Sequence, residues 1–99
     1  MPRYQVEIIE EAEQDARAIF LWIYRESPRA AADFALALDT AMDKLGESAH
    51  TWDAKKELKR YFINHYKVTL IYRLVGNVVT IGAVAHQRRR PDFWLKRSF

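Results

Sequence analysis

The residues best suited to chemistry are cationic and aromatic, and most of them stand in the second half of the chain. Arg60, Lys67, Arg73 and His86 fall on or beside stretches that read as β-strands. Beyond them come Arg88, Arg89, Arg90, Lys96 and Arg97, interleaved with Phe93 and Trp94. Guanidinium groups hold phosphate or carboxylate through paired N–H donors, and aromatic rings stack on unpaired bases. Such a set is built to meet an anionic partner, either nucleic acid or an acidic protein. A plainer reading stands beside it: Phe93 and Trp94 fasten the last segment to the core while the arginines sit in water. For the Arg88–Arg90 triplet that plainer reading is the weaker one, because three adjacent like charges repel unless something offsets them.

The familiar enzyme signatures are missing. Glycine occurs only at 46, 76 and 82, so there is no loop to cradle a phosphate. His50, His65 and His86 are too widely spaced for a metal motif, and no serine elbow is present. With no cysteine, neither a disulfide framework nor a thiolate metal site exists. The expectation is a binding protein without a cofactor, without a metal and without catalytic residues of its own.

Charge sharpens the contrast between the halves. Residues 1–54 carry five Lys/Arg and eleven Asp/Glu, a net −6; residues 55–99 carry eleven and two, a net +9. Asymmetry of this kind points to an anionic partner at the basic end. A length of 99 residues suits one domain, 1–99, with a modest core. No stretch approaches the ~20 apolar residues of a membrane helix. The opening Met1-Pro2-Arg3-Tyr4 leads into an amphipathic run rather than an apolar signal core. A soluble, cytoplasmic protein is expected.

Some framework must position the basic groups. Tyr4 to Ile8 alternates apolar and polar residues, as a half-buried strand does. Residues 11–25 read as a helix, with Glu10, Glu11, Glu13 and Asp15 near its positive end. Ala12, Ala16, Ile19, Phe20 and Ile23 form its apolar stripe, and Leu21 and Trp22 fall off that stripe. Ser27-Pro28 is a restart signal. A second helix follows through Phe34, Leu38, Ala41, Met42 and Leu45, with Gly46 as its stop. Residues 47–56 lack periodicity and read as a loop. Strands are expected over 58–63, 67–75 (a central one, from its β-branched and aromatic content) and 78–86, with a Gly76-Asn77 turn between the last two. Gly82 marks a bulge or a close approach, and Pro91 is placed to open a short helix. The class is α+β: an N-terminal strand, a two-helix hairpin, then a three-stranded antiparallel meander, all in one sheet, followed by a basic C-terminal segment. The hairpin covers one face and the other is left partly open, carrying the basic groups.

Three groups of residues also carry a family likeness. They are Ser27-Pro28-x-x-Ala31-x-x-Phe34-x-x-x-Leu38; then Tyr66-Lys67-Val68 with Ile71-Tyr72-Arg73; then Val84-Ala85-His86-Gln87-Arg88-Arg89-Arg90-Pro91-x-x-Trp94. Together they resemble the ParE toxins of the ParE/RelE superfamily, the plasmid stabilisation proteins of type II toxin–antitoxin modules. The likeness spans nearly the whole chain, and the His-to-Trp ending is its most specific part. It implies a RelE/ParE-like fold and a toxin that inhibits DNA gyrase and blocks replication. It also implies a ParD-like antitoxin partner, which alone contacts operator DNA, and no membrane association. For such a toxin, charge and an aromatic anchor make Arg88, Arg89, Arg90, Trp94, Lys96 and Arg97 the expected target-binding set, and the acidic first half with the off-stripe Leu21 and Trp22 makes Leu21, Trp22 and Arg25 the expected antitoxin contacts. The sibling RelE branch cleaves messenger RNA on the ribosome, which needs a base, an acid and cations for the phosphate. Arg60, Arg73 and His86 are the candidates for that alternative. Phe93 and Trp94, however, stand where RelE-like enzymes often carry a tyrosine.

Overall fold

A computed structural model describes residues 4–48 and 58–99. Strand β1 (Gln5–Ile8) leads into helix α1 (Glu10–Glu26), helix α2 (Pro28–Ser48) and strand β2 (Lys59–Ile63). A 3-10 turn, Asn64–Tyr66, then leads into β3 (Val68–Val75) and β4 (Val78–His86). The order across the sheet is β1-β4-β3-β2. Strands β2, β3 and β4 pair antiparallel, and β1 lies parallel to β4. The α+β class and the element order expected from the sequence are therefore observed, and β3 is central. No helix among the described residues is long and apolar enough to cross a membrane.

The helical hairpin turns on one residue. Ser27 closes α1 with its N–H on the Ile23 carbonyl at 2.9 Å, and its Oγ accepts the Ala30 N–H of α2 at 3.1 Å. Pro28, whose missing N–H costs nothing at the first position, starts the second helix. The expected stop at Gly46 is overrun, since α2 continues to Ser48. A mid-helix glycine costs about 1 kcal/mol. Here Gly46 is buried, and its carbonyl takes the Tyr4 N–H at 2.8 Å, which ties the helix end to the start of β1. The rest of the expected loop, 49–56, lies outside the described residues.

Helix α1 buries Ala12, Asp15 and Ile19, and α2 buries Ala31, Phe34, Ala41 and Leu45. Against them the sheet sets Val68, Leu70 and Tyr72 from β3 with Val79, Ile81 and Val84 from β4. Val79 and Ile81 are two apart, but Val84 is three further on. The extra residue is Gly82: Ile71 pairs with Ala83 and Tyr72 with Ile81, so β4 bulges there. That bulge brings Val84 back to the helix side and turns Ala83 to the other face.

The opposite face carries a second, smaller core. Ile71, Ala83 and Trp94 are buried in it, with Leu58, Phe93 and Phe99 packed against them. Residues 87–99 supply three of those side chains. The segment contains no helix after Pro91. It is a run of turns, with Phe93, Leu95 and Arg97 N–H groups donating to the Arg90, Asp92 and Trp94 carbonyls.

Candidate functional site

The position of the basic segment follows from a mismatch in strand length. β1 pairs only with Val78 through Ile81, so among the described residues the rest of β4 has no strand on that side. An open edge leaves backbone groups to be satisfied in some other way. Here side chains do it: Val84 N–H donates to Oδ2 of Asp15 at 3.1 Å, and the Gly82 carbonyl accepts from Arg97 at 3.1 Å.

Asp15 is the hub of this arrangement. Its carboxylate is 3% exposed and accepts two bonds from the Arg97 guanidinium, at 2.6 and 2.9 Å, and one from Arg89 at 2.9 Å. The Arg97 fork is bidentate, the geometry that makes guanidinium–carboxylate pairs strong and directional. Hydrogen bonding to Asp15 also pushes the Arg97 pKa above its ordinary value. Arg89 and Arg97 both stack on Phe93, at 3.6 and 4.9 Å from the ring centre. A buried acid on α1 thus clamps the segment at both ends.

The residues of the expected target-binding set consequently have different placements. Arg89 and Arg97 hold the segment to α1, and Trp94, 5% exposed, is the anchor in the second core. The fastening role weighed for the aromatic residues is what Trp94 performs. Arg88, Arg90 and Lys96 face solvent. Arg90 is 83% exposed and reaches Asp92 only at 3.9 Å. Arg88 lies with its guanidinium 5.5 Å over the Trp22 ring. Asp15 has a role that sequence reasoning assigned to the helix dipole. Its signal was there: it sits one turn from Ala12 and from Ile19, an acid inside an apolar stripe.

His86 ends β4 on the helix side, edge-on to Trp22 at 5.6 Å. Its Nδ1 accepts the Arg88 N–H at 3.2 Å, so the neutral ring carries its proton on Nε2. Burial, then the positive charges of Arg88 and Lys67, lower its pKa below the ordinary value. Arg60 and Arg73 lie on the opposite face. Arg60 stands 5.9 Å over Trp94, while Arg73 stands 5.4 Å from the Phe99 ring and donates to the Phe99 carbonyl at 2.7 Å. The sheet separates His86 from both arginines, so these three do not converge on one phosphate.

The expected antitoxin contacts lie together on the outer face of α1. Leu21 and Trp22 are 55% and 48% exposed, and with Arg25 and Tyr24 they line a hollow of about 500 Å³.

Comparison with known proteins places this geometry. The family described as ParE toxin of type II toxin-antitoxin system, parDE, matches residues 6–91. Among solved structures, a chain of the chromosomal ParDE TA system from P. aeruginosa superimposes with a TM-score of 0.72 at 12% identity. The match covers 85% of this chain and 96% of that one, and at such identity it speaks for the fold. No curated protein matches the chain.

Proposed function

The chain belongs to the ParE toxin family of type II toxin–antitoxin systems, and on that premise we propose that it inhibits DNA gyrase in the cytoplasm and is neutralised by a ParD-like antitoxin. The observation that carries this reading is the clamped display of Arg88 and Arg90. Both are exposed cations, and they sit on a segment that Asp15, Trp94 and Phe93 hold in place. A segment already held in place loses less conformational entropy on contact, which suits an inhibitor that works by occupancy. Lys96 is exposed on the same segment. The RNA endonuclease alternative has less support, because its candidate base and cations stand on opposite faces of the sheet.

A supercoiling assay with purified gyrase and relaxed plasmid tests the proposal. The protein is expected to block supercoiling, with linear cleaved DNA accumulating. Arg88→Gln/Arg90→Gln should reduce potency by at least about tenfold, the range for losing paired charges at an interface, while thermal stability stays unchanged. No inhibition at high protein concentration overturns the gyrase reading and makes ribosome-bound RNA the next substrate.

A further inference from the structure

The open face of the sheet holds a slot that the chain fills with its own side chain. At the bulge in β4 stands Gly82, and the Phe99 ring takes the space that a side chain there would need. Arg73 of β3 lies over that ring, its guanidinium 5.4 Å from the ring centre, and its Nε–H donates to the Phe99 carbonyl at 2.7 Å. Phe99 also packs against the small core of Ile71, Ala83 and Trp94.

Walls and occupant have different origins. Ile71, Arg73, Gly82 and Ala83 belong to the ladder between β3 and β4, in which Ile71 pairs with Ala83 and Arg73 with Thr80. Strand register sets these walls, so they stay in place when the occupant leaves. Ser98 and Phe99 belong to no helix or strand. The fixed point before them is Arg97, bonded to Asp15 and to the Gly82 carbonyl. The ring is thus held as a ligand is held: by an apolar contact, by a cation on its face and by one hydrogen bond to an acceptor oxygen.

We propose that the slot between Gly82 and Arg73 is a binding site for an aromatic residue of a peptide partner, and that Phe99 is its built-in, displaceable occupant. The chemistry of the walls selects that class. A strand glycine admits close approach by a flat group, and a guanidinium favours π-electrons beneath it. The Arg73 Nε–H takes a carbonyl that is joined to its ring by the Cβ–Cα link alone. An aliphatic side chain gains only the apolar contact. A nucleotide sets a whole sugar between base and phosphate, which is a longer span. The slot is independent of the gyrase reading, since its walls include none of Arg88, Arg90 and Lys96.

The probes are N-acetyl-phenylalanine amide, N-acetyl-leucine amide and adenosine monophosphate, each titrated into the isotope-labelled full chain and followed by NMR. In Phe99→Ala the phenylalanine probe should shift the Gly82 amide and Arg73 Nε–H signals with a Kd of about 1 mM, the strength of one cation–π contact and one hydrogen bond to a charged group. The leucine probe should bind about tenfold more weakly. Wild type should also bind the phenylalanine probe about tenfold more weakly, because its tethered ring competes at a millimolar effective concentration. Adding Arg73→Gln or Gly82→Ala to Phe99→Ala should abolish binding, the first by removing the cation and the second by filling the slot. No shift in a folded Phe99→Ala, equal affinity for leucine, tighter binding of the nucleotide, or shifts elsewhere on the molecule overturn the proposal. Wild type gives a reading that needs no variant: at high probe concentration the Phe99 ring signals should move together with those of Gly82 and Arg73. Phe99 signals that stay unmoved mark the ring as fixed packing and overturn the proposal even where Phe99→Ala does not fold.

Discussion

At the scale of single residues, two arginines of the same terminal segment have opposite energetic roles. Arg97, with its side chain 15% exposed, is bidentate to a carboxylate that is itself buried; Arg90 is 83% exposed beside an acid at 3.9 Å. Removing one partner of a buried pair leaves the other charge desolvated, at about 3–5 kcal/mol. Removing one partner of an exposed pair costs at most about 1 kcal/mol and often nothing measurable. Arg97→Ala is therefore expected to lose about 3 kcal/mol, since Arg89 remains as a partial partner for Asp15. Arg90→Ala should change stability by less than about 0.5 kcal/mol. Urea denaturation of the two variants checks this, and equal losses would mean that the clamp contributes nothing to folding. The same contrast separates residues that present the surface from residues that form it.

At the scale of elements, the bulge in β4 links strand register to the terminal segment. Gly82 has the Phe99 ring against it, and a Cβ there would collide with the Cζ, Cε1 and Cε2 edge of that ring. Gly82→Ala is expected to displace Phe99 and cost about 1–3 kcal/mol, the usual penalty of overpacking. In the Gly82→Ala/Phe99→Ala double variant the loss should be smaller than the sum of the single losses. Additive losses in thermal unfolding would show that the two residues do not compete for space. The sequence made this glycine legible as a bulge or a close approach, and the structure shows it is both. It also made the strands and helices legible, because period and turn chemistry are local. What stayed hidden depends on distant partners. Gly46 reads as a stop until Tyr4 bonds its carbonyl. Residues after Pro91 read as a helix until Trp94 and Phe99 are drawn onto the sheet. Asp15 reads as a dipole acid until Arg89 and Arg97 arrive from 74 and 82 residues away.

At the scale of the whole molecule, the last thirteen residues are as much a layer of the fold as the helical hairpin is. The hairpin covers one face of the sheet, and the segment covers part of the other face and the bare edge of β4. A domain of this length has a total stability of about 5–15 kcal/mol. Losing a buried tryptophan costs about 3–5 kcal/mol, and losing the guanidinium partners of a buried acid costs a similar amount. The two losses together approach or exceed what such a domain has to spare. A chain ending at His86 is therefore expected to lose cooperative unfolding in urea and dispersed amide signals in NMR, rather than to persist as a stable core without its basic surface. Loss of toxicity on truncation would then report unfolding, which is why substitutions at Arg88 and Arg90 test the binding surface and deletion does not. A truncated chain that unfolds cooperatively, at a midpoint near that of the full chain, would instead make the segment an appendage and return all of its arginines to the binding surface.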